Sequence, residues 1–198
     1  MRRLEFSCGL CVITERTLPV EDFLLRAMMA RLSVKKNSEG IFGIYDQKLH
    51  QHQIEDVLLV DGMEEGLRLG QFRPYYQPKY DTHTERIVGA EALVRWIRPD
   101  GEVTSPDRFI QLFEQNNQII QLDRYMFEAV CKKLSEIIGR ENLPVPISVN
   151  FSRAHLYMPD FPDRLLEIAQ KYNVPTSFLE VELTETAFFD QQKILAGH

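Results

Sequence analysis

The spacing of apolar residues divides the chain into three parts, at 1–45, 46–69 and 70–198. In the first part the pattern predicts a strand at 5–13, a helix at 20–34 and a short extended piece at 40–45. That is too little chain to form a core of its own. Apolar residues of the second part recur at helical spacing, which predicts a connector helix that could break near Gly62.

The third part alternates between strand-like and helix-like patterns. Strands are predicted at 72–80, 87–96, 146–152 and 178–185. A helix is predicted from Ser105 onward, because Ser105 and Pro106 suit an N-cap and a first turn. Two further helices are predicted at 122–138 and at 160–172. This alternation favours an α/β fold with a parallel sheet and crossover helices. About four β/α units would be the first half of a TIM-like barrel, with a small α+β piece and a connector helix before it.

Each predicted strand has one apolar and one polar face, because successive side chains point to opposite sides. The residues that share the polar faces are Arg73, Tyr75, Gln77 and Lys79; Gly89, Glu91, Leu93 and Arg95; Ser148, Asn150 and Ser152; and Glu180, Glu182 and Thr184. A parallel strand buried for stability alone would be apolar on both faces. We therefore expect the polar faces to converge inside a barrel, the alternative being an antiparallel sheet with these faces in water.

Converging carboxylate, amide and guanidinium groups predict a site for a metal ion and a phosphate. Glutamate and asparagine oxygens suit Mg²⁺ or Mn²⁺, and an arginine side chain suits a phosphate.

Composition limits the alternatives. With 29 acidic and 23 basic residues the chain lacks the basic surplus typical of proteins that bind nucleic-acid polymers. No apolar run reaches the roughly 18 residues of a membrane helix, and no secretory signal is evident, so a cytoplasmic location is expected. Cys8 and Cys11 form a CxxC pair without a second pair to complete a zinc site, so we interpret them as ordinary strand residues. The five histidines are interpreted as structural or solvated, none with a carboxylate or cysteine partner.

Four motifs in chain order resemble those of EAL domains, from about Gly70 to the end of the chain. They are Gln77-Pro78, then Glu91-Ala92-Leu93-Val94-Arg95-Trp96, then Ser148-Val149-Asn150-Phe151-Ser152, and Glu182-Leu183-Thr184-Glu185. The resemblance implies a barrel that hydrolyses cyclic-di-GMP to linear pGpG with two Mg²⁺ or Mn²⁺ ions. Asn117 stands where a glycine is common in the family, and asparagine also tolerates a left-handed backbone.

The same resemblance assigns roles to six residues. Glu91, Asn150 and Glu182 would be metal ligands, Gln77 and Arg95 would hold the dinucleotide, and Glu185 would steady a loop near the metals. The family's paired aspartate is absent from the sequence, as are its later lysine, glutamate and glutamine motifs. We therefore expect no efficient turnover from this chain alone, and a non-catalytic module that binds cyclic-di-GMP or a protein stays open as the alternative.

The first part of the chain resembles the closing strand and last helix of a GGDEF domain. The residues that carry this resemblance are Phe6 to Leu10, Phe23 to Ala27, Lys35-Lys36 and Tyr45-Asp46. The signature loop for GTP is absent, so the resemblance implies a remnant without cyclase activity. Together the three parts indicate a fragment of a larger bacterial GGDEF–EAL signalling protein. Because half a barrel would expose a strand edge, we also expect a homodimer or poor solubility.

Overall fold

A computed structural model of the protein describes residues 6–13, 18–34, 42–140 and 144–183. The chain divides into two compact units, Met1–Leu59 and Val60–His198. The division falls inside a helix, α2 (Gln47–Arg68). This helix is continuous through Gly62, so the break considered there does not occur.

The first unit is built around a βαβ arrangement. Strand β1 (Cys8–Leu10) pairs in parallel with β2 (Phe42–Ile44), and helix α1 (Val20–Ser33) lies between them in the chain. Gly9 and Gly43 are register partners, and a Cβ atom added to either would lie within 2 Å of a carbonyl oxygen of α1. Glycine at both positions therefore lets the helix lie directly on the two strands.

The second unit contains a mixed sheet with the strand order β3-β4-β6-β7. Its strands are β3 (Phe72–Tyr80), β4 (Ile87–Ile97), β6 (Ile147–Phe151) and β7 (Leu179–Leu183), and the two-residue β5 (Val103–Thr104) pairs with the end of β4. Its further helices are α3 (Pro106–Gln115), α4 (Ile119–Ile138) and α5 (Phe161–Lys171). Short 3₁₀ turns follow β6 and precede β7.

The predicted fully parallel sheet is wrong for the first two strands. β3 and β4 are antiparallel, whereas β4, β6 and β7 are parallel to one another. Residues 81–86 are too few for a crossover connection, which needs a dozen or more residues. Asp81 instead closes a tight turn, where its Oδ1 accepts hydrogen bonds from the backbone N–H groups of His83 and Thr84. The α/β class is confirmed, and within the described residues the sheet does not close, as expected of a partial barrel.

Two groups of buried side chains hold the helices on the outer face of this sheet. An aromatic cluster joins β3, β4 and α3, and its members are Phe72, Trp96, Phe109 and Phe113. A second core joins α4 and β6 through Phe127, Val130, Leu134, Val149 and Phe151. Because the apolar faces of the strands are used in this packing, their polar faces are left for the concave side of the sheet.

The helix starts agree with the sequence in position but not in detail. Ser105 and Asp160 precede α3 and α5, yet neither side chain makes a capping hydrogen bond. The Asp160 carboxylate instead pairs with Arg164 one turn later. Asn117 does adopt the expected left-handed backbone, with φ of 57°. In the described part of the chain, no helix is long and apolar enough to cross a membrane.

Candidate functional site

Three residues that the sequence assigned to metal binding lie on neighbouring parallel strands. Glu91 on β4 is the register partner of Ser148 on β6, and Asn150 on β6 is the partner of Glu182 on β7. The Asn150 side chain donates a hydrogen bond from Nδ2 to Glu91 Oε1 over 2.6 Å. The sheet therefore brings oxygen-bearing side chains from three strands onto one face, although the chain separates them widely.

Lys79 joins this group from the opposite end of the sheet. Its Nζ lies 2.6 Å from Glu182 Oε1 and 3.4 Å from Glu180 Oε2. β3 and β7 are the first and last strands in the order β3-β4-β6-β7, so these contacts cross the face of the sheet rather than follow a strand pair. The sheet must be strongly curved for one lysine to reach across it, which is the curvature of a barrel wall.

The lysine also favours the charged form of its partner. The hydrogen bond from Lys79 lowers the pKa of Glu182, with a smaller contribution from the neighbouring Ser148 hydroxyl, and the same contact raises the pKa of Lys79. Both groups are therefore charged near neutral pH. Lys79 shares the polar face of β3 with Gln77, and that shared face is the signal by which the sequence could have assigned it to the site.

The predicted dinucleotide-binding residues lie along the β3–β4 hairpin. Gln77 on β3 is exposed and lies directly opposite Glu91 on β4. The Arg95 guanidinium lies 5.9 Å from the centre of the Tyr75 ring and donates to the backbone oxygen of Val94 over 2.8 Å. Arg95 is thus held in place with part of its donor capacity still available.

Arg73 is a residue that the sequence reasoning left unassigned. It is the register partner of Arg95 in the antiparallel pair. Like charges placed directly opposite in a sheet destabilise it unless something compensates them. A bound anion would supply that compensation.

A cavity of about 260 Å³ lies beside Arg95, where β4 and β6 stop pairing. Its walls come from β4, β6, α3 and α4 and include Leu93, Arg95, Asn150 and Asp123. The cavity thus has Arg95, which suits a phosphate, and Asn150, which contacts Glu91, in the same lining.

Asp123 and His155 form a buried pair behind this cavity, which corrects the interpretation that no histidine has a carboxylate partner. His155 Nε2 lies 3.0 Å from Asp123 Oδ2, which also accepts from the backbone N–H of Ser152 over 2.9 Å. Burial raises the pKa of Asp123, and the hydrogen bond from His155 opposes that rise. The pair fixes the chain two residues after Asn150, at the end of β6.

The donor atoms fit a hard divalent cation in part. Two carboxylates and an amide are ligand types that Mg²⁺ and Mn²⁺ accept. Ser148 is completely buried on β6, two residues before Asn150 and opposite Glu91 in the register. No group of three or more His, Cys, Asp or Glu side chains placed to hold a metal occurs in the ranges described. Glu185, assigned to a supporting role, lies outside the described residues.

The family match covers the part of the chain that carries the candidate site. The sequence profile of the EAL domain matches residues 61–196. The cyclic di-GMP phosphodiesterase PA2567 of Pseudomonas aeruginosa is 26% identical over 179 residues, which are 90% of this chain and 30% of that protein. The biofilm architecture maintenance protein MbaA of Vibrio cholerae is 27% identical over 196 residues, 97% of this chain and 24% of its own length. This chain therefore spans less than a third of either relative.

Among solved structures, the PaMucR phosphodiesterase in complex with c-di-GMP superposes with a TM-score of 0.61 at 25% sequence identity, over 70% of this chain and 56% of that one.

Proposed function

Because the chain belongs to the EAL domain family, we propose that it is a segment of a phosphodiesterase that hydrolyses cyclic-di-GMP to pGpG in second-messenger signalling. The observation that supports this most directly is the contact between Asn150 and Glu91, with Glu182 on the next strand. It places hard-metal ligand types on one face of the sheet, and Arg95 lies beside them at the cavity.

In this proposal Glu91, Asn150 and Glu182 hold one Mg²⁺ or Mn²⁺ ion. When bound, such an ion neutralises charge on the phosphate and makes a water molecule more acidic. The hydrogen bond between Asn150 and Glu91 orients both side chains before any ligand arrives. The buried Asp123–His155 pair supports Asn150 by fixing the end of its strand. Glu185 would steady a loop beside the metal.

The substrate would lie along the β3–β4 hairpin. Cyclic-di-GMP carries two negatively charged phosphodiesters, and guanidinium groups pair well with phosphate oxygens. Arg95 and the opposing Arg73 supply two such groups on one face. Gln77 has donor and acceptor atoms that suit the edge of a guanine base.

We propose further that the chain is part of a longer GGDEF–EAL protein. The βαβ arrangement before α2 has the order expected of a closing GGDEF segment. The later EAL motifs are absent from this sequence, so efficient turnover would depend on residues beyond it.

A second candidate function is binding of cyclic-di-GMP without hydrolysis. It is favoured by Lys79, whose ammonium holds the carboxylate that a metal ion would need. The nucleotide-binding residues of the hairpin do not depend on that carboxylate.

Calorimetric titration of the chain with cyclic-di-GMP, in the presence of Mg²⁺, tests the proposal. We expect saturable binding that weakens about ten- to a hundredfold in Arg95→Ala, since a hydrogen-bonded charged group contributes about 1.5–3 kcal/mol. Arg164→Ala is the matched control, because Arg164 on α5 is half exposed and pairs with Asp160, just before that helix. Its affinity should equal that of the unaltered chain.

Two results would count against the proposal: no binding by the unaltered chain, or equal binding by Arg95→Ala. Chromatography of the same mixtures tests the second candidate, because formation of pGpG would exclude a module that only binds the nucleotide. Intact nucleotide is the expected result for this chain under both candidates, since the later EAL motifs are absent from its sequence.

A further inference from the structure

We propose that Lys79 is a built-in counter-ion of the metal-ligand carboxylates, which holds Glu182 in the metal-free protein and competes with a divalent cation for it. The inference rests on the proposed function, because it concerns the same site. It adds that a side chain of the protein itself competes with the metal ion for Glu182.

The contacts of Lys79 are those of a shared counter-ion. One ammonium group reaches two carboxylates of β7, at 2.6 Å from Glu182 and 3.4 Å from Glu180. Both glutamates occupy the polar face of the sheet together with Glu91. Without a cation among them, three carboxylates on one concave face would repel one another.

Gly89 gives the lysine its route across the sheet. Lys79 and Gly89 are register partners, and a Cβ atom at Gly89 would lie 3.6 Å from Lys79 Cδ and 3.8 Å from its Cβ. The lysine stem therefore lies over the glycine, where no side chain stands in its way. This path directs the ammonium away from its own strand and toward β7.

Competition follows from the size and charge of the two cations. A divalent cation binds a carboxylate oxygen at about 2.0–2.2 Å, and Lys79 Nζ already lies 2.6 Å from Glu182 Oε1. A divalent cation that binds this oxygen, or the other oxygen of the same carboxylate, is repelled by the ammonium beside it. The lysine can move away, since its four-carbon stem is flexible and its side chain is 35% exposed.

The experiment compares Mn²⁺ affinity in the full chain by electron paramagnetic resonance, which measures free Mn²⁺ directly. We expect Lys79→Met, which keeps the length of the stem, to bind Mn²⁺ about two- to fivefold more tightly than the unaltered chain. Lys171→Met is the matched control, because Lys171 Nζ also lies 2.6 Å from a glutamate oxygen, that of Glu128 on α4. It should leave Mn²⁺ affinity unchanged.

A urea-unfolding series provides a second measurement that does not depend on activity. Without metal, Lys79→Met should unfold at a lower urea concentration than the unaltered chain. Addition of Mn²⁺ should raise the urea midpoint of Lys79→Met by more than it raises that of the unaltered chain. Equal or weaker Mn²⁺ affinity in Lys79→Met would overturn the proposal, because a lysine that only organises the ligands would help the metal.

The outcomes also separate this inference from the proposed function. Unaltered Mn²⁺ affinity in Lys79→Met refutes the counter-ion role and leaves the metal site standing. Absence of Mn²⁺ binding in every variant refutes both.

Discussion

Cys131 lies in the middle of α4 with no exposed surface. Burial in apolar surroundings raises the pKa of its thiol to about 12. Because the thiolate is the reactive form, only about one molecule in ten thousand would be ionised at pH 8. We therefore expect iodoacetamide to leave Cys131 unmodified at pH 8 in the native protein and to modify it after unfolding in urea, as measured by mass spectrometry.

Cys8 is the internal control for this labelling, since it is exposed in the same molecule and should react under native conditions. Native modification of Cys131 at the rate of Cys8 would contradict the assigned burial. The raised pKa also makes stability depend on pH. The contribution of the Cys131 thiol to the free energy of unfolding is fully present at pH values below its ordinary pKa near 9. This contribution is lost as the pH rises through about 12.

Individual contacts were the least predictable feature of the site. The polar faces of the strands identified Glu91, Asn150 and Glu182 as neighbours, because side-chain alternation follows directly from strand geometry. The pairing of His155 with Asp123 could not be read in this way, since one follows a strand and the other lies on a helix 32 positions earlier. The Lys79–Glu182 contact spans 103 positions and depends on the curvature of the sheet, which no local pattern contains.

At the scale of single elements, α3 depends on two phenylalanines one turn apart. Phe109 and Phe113 are both completely buried, and both pack against Trp96 and Phe72. Removing a buried aromatic ring leaves a cavity that the neighbours fill only in part. We expect Phe113→Ala to lower the free energy of unfolding by about 3–5 kcal/mol, measured by urea denaturation.

Gln111→Ala on the exposed side of the same helix is the control for helix propensity. Its effect should stay within about 0.5 kcal/mol. A loss below about 1 kcal/mol in Phe113→Ala would mean that α3 is not anchored through this cluster.

Element boundaries followed the sequence closely, but strand direction did not. The predicted strand at 72–80 has the same limits in the structure, and the second ends one residue later than predicted. Alternation of strands and helices nevertheless suggested a parallel sheet throughout. The short connection at 81–86 already excluded that arrangement, because parallel neighbours need a longer crossover.

At the scale of the whole molecule, the described sheet has two ends, β3 and β7, each with one pairing neighbour in the order given. A partial barrel was predictable because four motifs occurred in family order, whereas the strands that end the described sheet are a property of the assembled sheet. An open strand edge beside an apolar surface is a common site of self-association. The predicted homodimer should therefore use the side of the sheet that ends in β7.

The surface beside β7 gives this prediction a specific form. An apolar groove of about 260 Å³ lies between β7 and α5, and Leu166 and Val181 on its walls are each 44% exposed. We expect the chain to dimerise with increasing concentration in sedimentation equilibrium, and Val181→Lys to weaken the dimer at least tenfold, because association would then bury an unpaired ammonium. Val103→Lys on β5, at a residue that is 51% exposed, is the control and should leave the dimer unchanged. A monomer at all concentrations would contradict the prediction, and equal weakening by both lysines would place the contact elsewhere.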